Sequence, residues 1–248
     1  MSPKPESKRL SVEFLPPRTL ARVEDCLCVI IDVVRASSTL CALGENGNPE
    51  IFLADSAIDA RKYRDQHLPT AALGGEQDGL PLPNFDFGNS PLEVQELNFS
   101  NRQVIFGTTN GTYAARTCQG ARSIVFGCIR NLDAIVEEAI NFDGERVVLV
   151  CAGSHNAFAL DDAVCAGMLA DRISQSNPNL DDSALAAQAI HHHYPNPEQA
   201  LKISDSGRRL NRVGITEDLA YCAAANASTY IPRISVGAFD KEHRIQLT

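Results

Sequence analysis

No apolar run in this 248-residue chain approaches the roughly 18 residues that a membrane-crossing helix needs, so a helical membrane protein is not expected. The opening stretch "MSPKPESKRL" lacks the apolar centre of a secretory signal. Basic residues are in deficit, with 22 Lys and Arg against 31 Asp and Glu and a net charge of −9. That balance argues against a surface for nucleic acid or anionic lipid. The eight cysteines include no CxxC pair and lie mostly inside apolar segments, as reduced thiols in a cytoplasmic protein do.

Much familiar phosphate chemistry is missing too. There is no GK dipeptide, hence no Walker-type loop, and no GxG, hence no dinucleotide fingerprint. No cysteine is followed six positions later by arginine, and RHG, GxSxG and HExxH are all absent. Asp32 ends a strand in the manner of haloacid-dehalogenase-type nucleophiles, yet Val34 stands where their second acid would be.

What the chain has is a recurring unit. "LCVIIDV", "EIFLAD", "RQVIFGT", "RSIVFGC" and "RVVLVCAG" read as strands, each followed by a turn and a helical stretch. Such alternation predicts an α/β fold: a three-layer α/β/α arrangement with a mostly parallel, possibly mixed, central sheet and a helix-rich C-terminal third. Residues 1–9 read as a flexible leader and 10–248 as a single domain, with the helix-rich subregion at about 178–228. "YIPRISVGAF", residues 230–239, reads as a closing strand, and "HHHYP" as an exposed helix end. Residues 73–94, with four Gly and three Pro, show no periodicity and read as an ordered, packed loop.

The strand ends are unusually polar. After "CVIIDV" come Arg35, Ser37, Ser38 and Thr39; after "QVIF" comes "GTTNGT"; after "RSIVF" comes "GCIRN"; after "RVVLV" come "CAGSHN" and then Asp161 and Asp162. In an open α/β sheet these turns share one rim, where ligands bind. Helix N-termini there favour an anion, and Gly107 and Gly111 would let backbone approach it. Capping alone explains single Ser, Thr or Asn residues, but not a charged Arg35 beside a buried strand.

Six motifs, "IDVVRASST", "LGGE", "FDFGNSPLEV", "TTNGT", "ALDDAVCAG" and "ALKISDSGRRL…GITEDLAYCAAANASTYIP", together resemble those of the 2-phosphosulfolactate phosphatase family, over roughly residues 10–240. The resemblance implies a Mg²⁺-dependent phosphatase that hydrolyses (R)-2-phospho-3-sulfolactate to 3-sulfolactate and phosphate, in coenzyme M biosynthesis. The family often carries "LEDA" where this chain has "LDDA", so Asp162 matches the recurrent acid more securely than Asp161.

A small, densely anionic phosphorylated substrate on an acidic protein calls for a cation between them. The expected metal ligands are Asp32, Glu76 and Asp162, with Asp32, Arg35 and Glu76 catalytic. Arg35 would clamp phosphate or sulfonate oxygens, beside Ser37, Ser38, Thr39, Asn89, Thr109, Asn110, Gly111 and Asn131, with Ser90 a weaker candidate. Whether water attacks directly or Asp32 acts as a nucleophile stays open, as does a homo-oligomer. The alternatives are a non-catalytic binding protein for a phosphorylated or sulfonated metabolite, and a hydrolase using Cys128 or Cys151.

Overall fold

The computed structural model describes residues 8–18, 20–47, 50–77, 79–100, 102–176, 179–235 and 244–247. In chain order its elements begin with β1 (Arg9–Glu13), β2 (Cys26–Ile31), α1 (Ala36–Glu45), β3 (Glu50–Ala54), α2 (Ala57–His67) and β4 (Ala72–Gln77). There follow β5 (Leu80–Pro81), α3 (Pro91–Glu96), β6 (Gln103–Gly107), α4 (Thr109–Thr117), β7 (Ser123–Gly127), α5 (Leu132–Asn141) and β8 (Arg146–Cys151). The last elements are α6 (Leu160–Ser174), α7 (Asp182–His193), α8 (Pro197–Ile203), α9 (Asp205–Arg212), α10 (Glu217–Ala223) and β9 (Arg244–Leu247). The protein is α/β, as its alternating pattern requires.

The strands divide between two sheets. The first runs β1-β8-β2-β7 and is parallel throughout; the second runs β5-β4-β6-β3-β9, parallel at β4, β6 and β3 with antiparallel strands at both edges. β2 and β8 are buried along their length, and their side chains alternate between two cores. Leu27, Val29, Ile31, Val147 and Leu149 pack on Ile135 of α5 and Val164 and Leu169 of α6. Cys28, Ile30, Val148 and Val150 face the other way, meeting Leu40 of α1 and Ala114 of α4. That second core also takes Ile51, Leu53, Val104 and Phe106 from the second sheet, so both sheets share it. Leu73 and Ile105 point to the far face, where Ala60 of α2 covers them.

Several elements depart from the sequence reading. The leader ends sooner, because Arg9 already opens β1, with Leu10 set opposite Val147 and Val12 opposite Leu149. Five residues of alternating polarity suit an edge strand, and so short a segment gives little sequence signal. Residues 1–7 lie outside the described residues. The stretch 73–94 contains strand β4, the short hairpin partner β5 and the start of helix α3, whose Ser90 cap accepts from Glu93 N at 3.2 Å. Glycine hid β4: a Cβ on Gly74 would meet the Phe87 ring at 2.1 Å, so the missing side chain makes room for that ring. The closing strand lies at β9 rather than in 230–235, where Arg233 and Ile234 make only isolated bridges; 236–239 fall outside the described residues. The three histidines do end helix α7, with His192 Nε2 2.7 Å from Asp171 Oδ2.

Phe87 is buried and stacks edge-on to Phe99, with ring centroids 5.2 Å apart, so it has little freedom to retreat. Gly74→Ala should therefore destabilise the protein by about 1–3 kcal/mol, the usual range for overpacking, as a shift in the urea midpoint at constant slope. An unchanged midpoint would mean that the Phe87 shelf is soft.

Candidate active site

The carboxyl ends of β2 and β8 in one sheet and of β4 and β6 in the other converge on a single cavity of about 230 Å³. That is small against the several hundred Å³ typical of drug-sized ligand sites, and its lining is mainly polar. Asp32, Val34 and Arg35 reach it from the β2 end; Gly153, Ser154 and His155 from the β8 end. Glu76, Gln77 and Gly79 come from the β4–β5 hairpin, and Thr108, Thr109 and Asn110 from the β6–α4 junction. Asn89, Asp161, Asp162, Ser206, Arg209 and Leu210 complete the wall.

Asp32 is fixed by its own turn. Its backbone N–H donates to Ser37 Oγ at 3.0 Å, its carbonyl accepts from Ser37 N at 2.8 Å, and its Oδ1 accepts from Ala36 N at 3.3 Å. A Cβ on Gly111 would sit 3.4 Å from Asp32 Oδ2, so glycine lets the start of α4 lie close against this carboxylate. Burial pushes the Asp32 carboxyl up to about 7; Ala36 N–H opposes, while the charges of Asp161 and Glu76 add to the rise and Arg35 reduces it.

The adjacent acids Asp161 and Asp162, in the first turn of α6, do different things. Both oxygens of Asp162 are taken, Oδ1 by Val33 N at 2.9 Å and Oδ2 by Gly153 N at 3.0 Å. It fastens the ends of β2 and β8 together, and each of its oxygens already accepts one backbone hydrogen bond at the cavity wall. Asp161 is 2% exposed, and its Oδ1 has no hydrogen-bond partner among the described residues. Burial raises its carboxyl to about 6, with its own backbone N–H, Ser206, Ser204 and Arg209 acting in the opposite direction.

Arg35 reaches the cavity, but its guanidinium is already committed. Nη1 donates to Asp218 Oδ2 at 2.7 Å and Nη2 to the Gly79 carbonyl at 2.9 Å, while Ser90 Oγ donates to the other oxygen of Asp218, at 2.7 Å. Two of its five N–H donors are thus taken, so the bidentate clamp that the sequence reading expected would have to use those that remain. Glu76 is held through Oε2, which accepts from Gly79 N, leaving Oε1 for a ligand or water.

Of the expected ligand-binding residues, Ser37, Ser38, Thr39, Ser90, Gly111 and Asn131 lie outside the cavity wall. Ser37 supports Asp32, Ser38 Oγ donates to the Val33 carbonyl at 2.8 Å, and Thr39 Oγ1 donates to Asn89 Oδ1 at 2.9 Å. Asn131 accepts from Cys128 N at 2.9 Å and donates to the Phe126 and Tyr230 carbonyls. Each hydroxyl or amide satisfies buried backbone or a neighbour, which a strand-to-helix turn needs as much as a ligand does. Asn89 does line the cavity, and with its oxygen taken by Thr39 it offers its amide NH₂. Thr109 and Asn110 line the wall from the first turn of helix α4.

Sequence reasoning gave no role to Thr108, Ser154, His155, Ser206 or Arg209. "CAGSHN" and "SDSGRRL" contained four of them, but nothing in a helical "GRRL" tells which arginine faces a cavity. Cys128 and Cys151 do not line it; all eight thiols are free and buried, and burial drives the Cys151 thiol well above its ordinary range. A cysteine nucleophile finds no support.

Among the described residues no group of three or more Asp, Glu, His or Cys has the geometry of a protein-built metal cage. Two buried carboxylates near one another, one with an orphaned oxygen, still fit a hard divalent cation that keeps several waters, which is how Mg²⁺ is usually held. Asp32 and Asp161 are the residues that fit.

A family model described as 2-phosphosulpholactate phosphatase matches residues 14–237. A protein of Deinococcus radiodurans named probable 2-phosphosulfolactate phosphatase is 35% identical over 231 residues, covering 92% of this chain and 94% of that protein. Proteins of the same name from Thermus thermophilus and Symbiobacterium thermophilum are each 32% identical, covering 90% and 85% of this chain and 93% and 92% of their own lengths.

Two outcomes follow from the geometry. Arg35→Ala removes one partner of an ion pair whose side chains are 3% and 1% exposed, and should cost about 3–5 kcal/mol of stability by urea denaturation, because Asp218 is left buried and uncompensated. A loss below about 1 kcal/mol would show the pair to be dispensable. For Asp32 the folded-state value near 7 exceeds the ordinary 3.8, so the folded protein holds this proton more tightly than the unfolded chain does. Its contribution is then most favourable below about pH 4 and is lost as the pH rises through about 7. In buffer free of divalent cations, Asp32→Asn should raise the denaturation midpoint more at pH 8 than at pH 5; equal effects at both would contradict a raised carboxyl.

Proposed function

The chain belongs to the 2-phosphosulpholactate phosphatase family, and from that premise we propose that its cavity hydrolyses (R)-2-phospho-3-sulfolactate to 3-sulfolactate and phosphate with the help of Mg²⁺. Its class, a phosphoric monoester hydrolase, follows from the family. The observation that carries the finer reading is the pairing of Asp32 and the partnerless Asp161 Oδ1 on one small polar cavity, with a guanidinium at its wall. Uncompensated carboxylates repel an anionic ligand, by roughly 4 kcal/mol for a pair of unit charges 4 Å apart at an effective dielectric near 20. A binding protein for anions would gain nothing from them, whereas a metal-assisted hydrolase needs them.

Asp32 and Asp161 would hold the Mg²⁺, which when bound supplies positive charge to offset that of the phosphoryl group. The chain's own groups do the rest. Glu76, held through one oxygen by Gly79 N, would orient the attacking water with the other and accept its proton. Thr108, Thr109, Asn110 and the Asn89 amide would donate to phosphoryl oxygens from the β6–α4 side, where the first-turn N–H groups of α4 add positive potential. Arg35 would hold the β4–β5 hairpin over the substrate through the Gly79 carbonyl, keeping Glu76 in place. Reduced thiols and the acidic surface suit a cytoplasmic setting.

A phosphate-release screen over 2-phospho-hydroxyacids, with and without Mg²⁺, tests this directly. The sulfonated substrate should be preferred, and chelation should stop turnover reversibly. Asp161→Asn should lower kcat/KM by about 10²–10³, the scale for one pre-organised electrostatic group, and shift the Mg²⁺ activation curve. Asp162→Asn should instead lower stability, since Val33 N or Gly153 N would face an amide nitrogen in place of an acceptor. Full activity in the absence of divalent cations would end the metal proposal.

A further inference from the structure

We propose that Arg209, seated on Ser154 and next to Ser206, is a specificity subsite that binds the second anionic group of the substrate, the one remote from the phosphate. The inference rests on the phosphatase reading above and deepens it. Its starting point is the state of the two guanidiniums on the wall. Arg35 is almost wholly enclosed and tied to Asp218 and the Gly79 carbonyl. Arg209 is half-buried and makes one hydrogen bond among the described residues, from Nη2 to Ser154 Oγ at 2.8 Å. A guanidinium carries five N–H donors in a planar fork, so most of those on Arg209 are left for a ligand.

Its position is held from both sides. Ser154 lies in a tight turn in which Ser154 N donates to the Ala157 carbonyl at 3.0 Å and Ala157 N returns to the Ser154 carbonyl at 2.9 Å. His155 and Asn156 complete that turn in the left-handed region. Arg209 itself stands on α9, whose Ser204 cap accepts from Gly207 N at 3.0 Å. A Cβ on Gly207 would lie 1.9 Å from the Leu201 carbonyl, so α9 and α8 meet at backbone contact. A Cβ on Gly79 would lie 3.4 Å from Leu210 of α9 and 3.8 Å from Val213 just after it, which sets the hairpin bearing Glu76 close to the helix. Arg209 is therefore a pre-organised donor and not a loose surface cation.

Charge then decides orientation. Asp32, Asp161 and Glu76 line the same cavity, so an anionic group without a cation of its own is repelled from their side. A substrate with a phosphate and a second strong anion can put only one of them beside a metal held by those acids. Arg209 also faces Asp161, whose charge a bound cation would offset, and the remaining donors of Arg209, beside Ser154, then meet the second anion. The ligand class is a phosphoester with a carboxylate or sulfonate a few bonds away, and its two ends are told apart by this asymmetry.

The test compares kcat and KM for three phosphoesters: 2-phospho-3-sulfolactate, 2-phospholactate, which keeps only the carboxylate, and isopropyl phosphate, which has neither. Arg209→Ala should cut the ratio of kcat/KM for the best anion-bearing substrate to that for isopropyl phosphate by about 30-fold or more, the scale of a lost charge-assisted hydrogen bond, mainly through KM. Loss confined to the sulfonated substrate assigns the subsite to sulfonate; equal loss for both anion-bearing substrates assigns it to carboxylate. Arg209→Lys should recover part of the ratio, and Ser154→Ala, which keeps the guanidinium, should lower it less. A ratio within about threefold of wild type for every variant would overturn the proposal. So would a parallel fall for all three substrates, which would place Arg209 on the phosphate. If wild type shows no preference for the sulfonated substrate, the substrate assignment above fails, while the 2-phospholactate to isopropyl phosphate ratio still reads Arg209.

Discussion

One buried guanidinium ties together the parts that make the cavity. Arg35 leaves the end of β2, and through Asp218 and the Gly79 carbonyl it binds helix α10 to the β4–β5 hairpin. Asp218 also accepts from Ser90, the cap of α3, so four segments distant in sequence are referred to one charge pair. Buried ion pairs seldom add net stability over an apolar replacement, because desolvating both charges is costly. Their value is directional: a guanidinium with fixed partners admits few arrangements of the segments it joins. Here the arrangement it selects is the one that brings Glu76 to the same wall as Asp32 and Asp161.

The cavity stores electrostatic tension. Asp32, Asp161 and Asp162 are each almost wholly buried, and carboxyls so placed are driven toward their neutral forms. Two backbone N–H groups face the oxygens of Asp162, yet burial and the charges of Asp161 and Asp32 still push its carboxyl well above the ordinary range. Asp32 accepts one long contact from Ala36 N, and Asp161 Oδ1 has no hydrogen-bond partner among the described residues. A fold assembled for stability alone would place neither there, since burying a polar group without a partner costs free energy. Sites that bind cations have this character before the cation arrives.

The repeating strand and helix units were legible because β2, β6, β7 and β8 are continuous apolar runs with polar turns behind them. That is the imprint of strands covered on both faces. β4 was not legible, since Gly74 leaves room for Phe87 and Gly75 lies against Phe85, and both read as turn residues in a sequence. The polar strand ends do meet along one cavity, yet which of their side chains line it was not legible. Ser37, Ser38, Thr39 and Asn131 carry groups that serve a ligand or the backbone equally well, and only their orientation decides. Arg209 was hidden for the opposite reason: beside Arg208 and Arg212 on a polar helix, it has no local feature that marks it.

Asp161 and Asp162 show why residue type alone cannot assign a site. Successive residues on an α-helix point about 100° apart, so two adjacent acids in a first turn cannot do the same work. One must face the sheet it caps, and the other must face along the helix toward α9. Asp162 takes the first direction and bridges β2 to β8, which lets two parallel strands end together without leaving Val33 N or Gly153 N unpaired. Asp161 takes the second and meets Ser206 and Arg209 at the cavity. Asp162 thus holds its neighbour in register: any slip of α6 along the sheet that moved Asp161 would first break two buried backbone hydrogen bonds at Asp162.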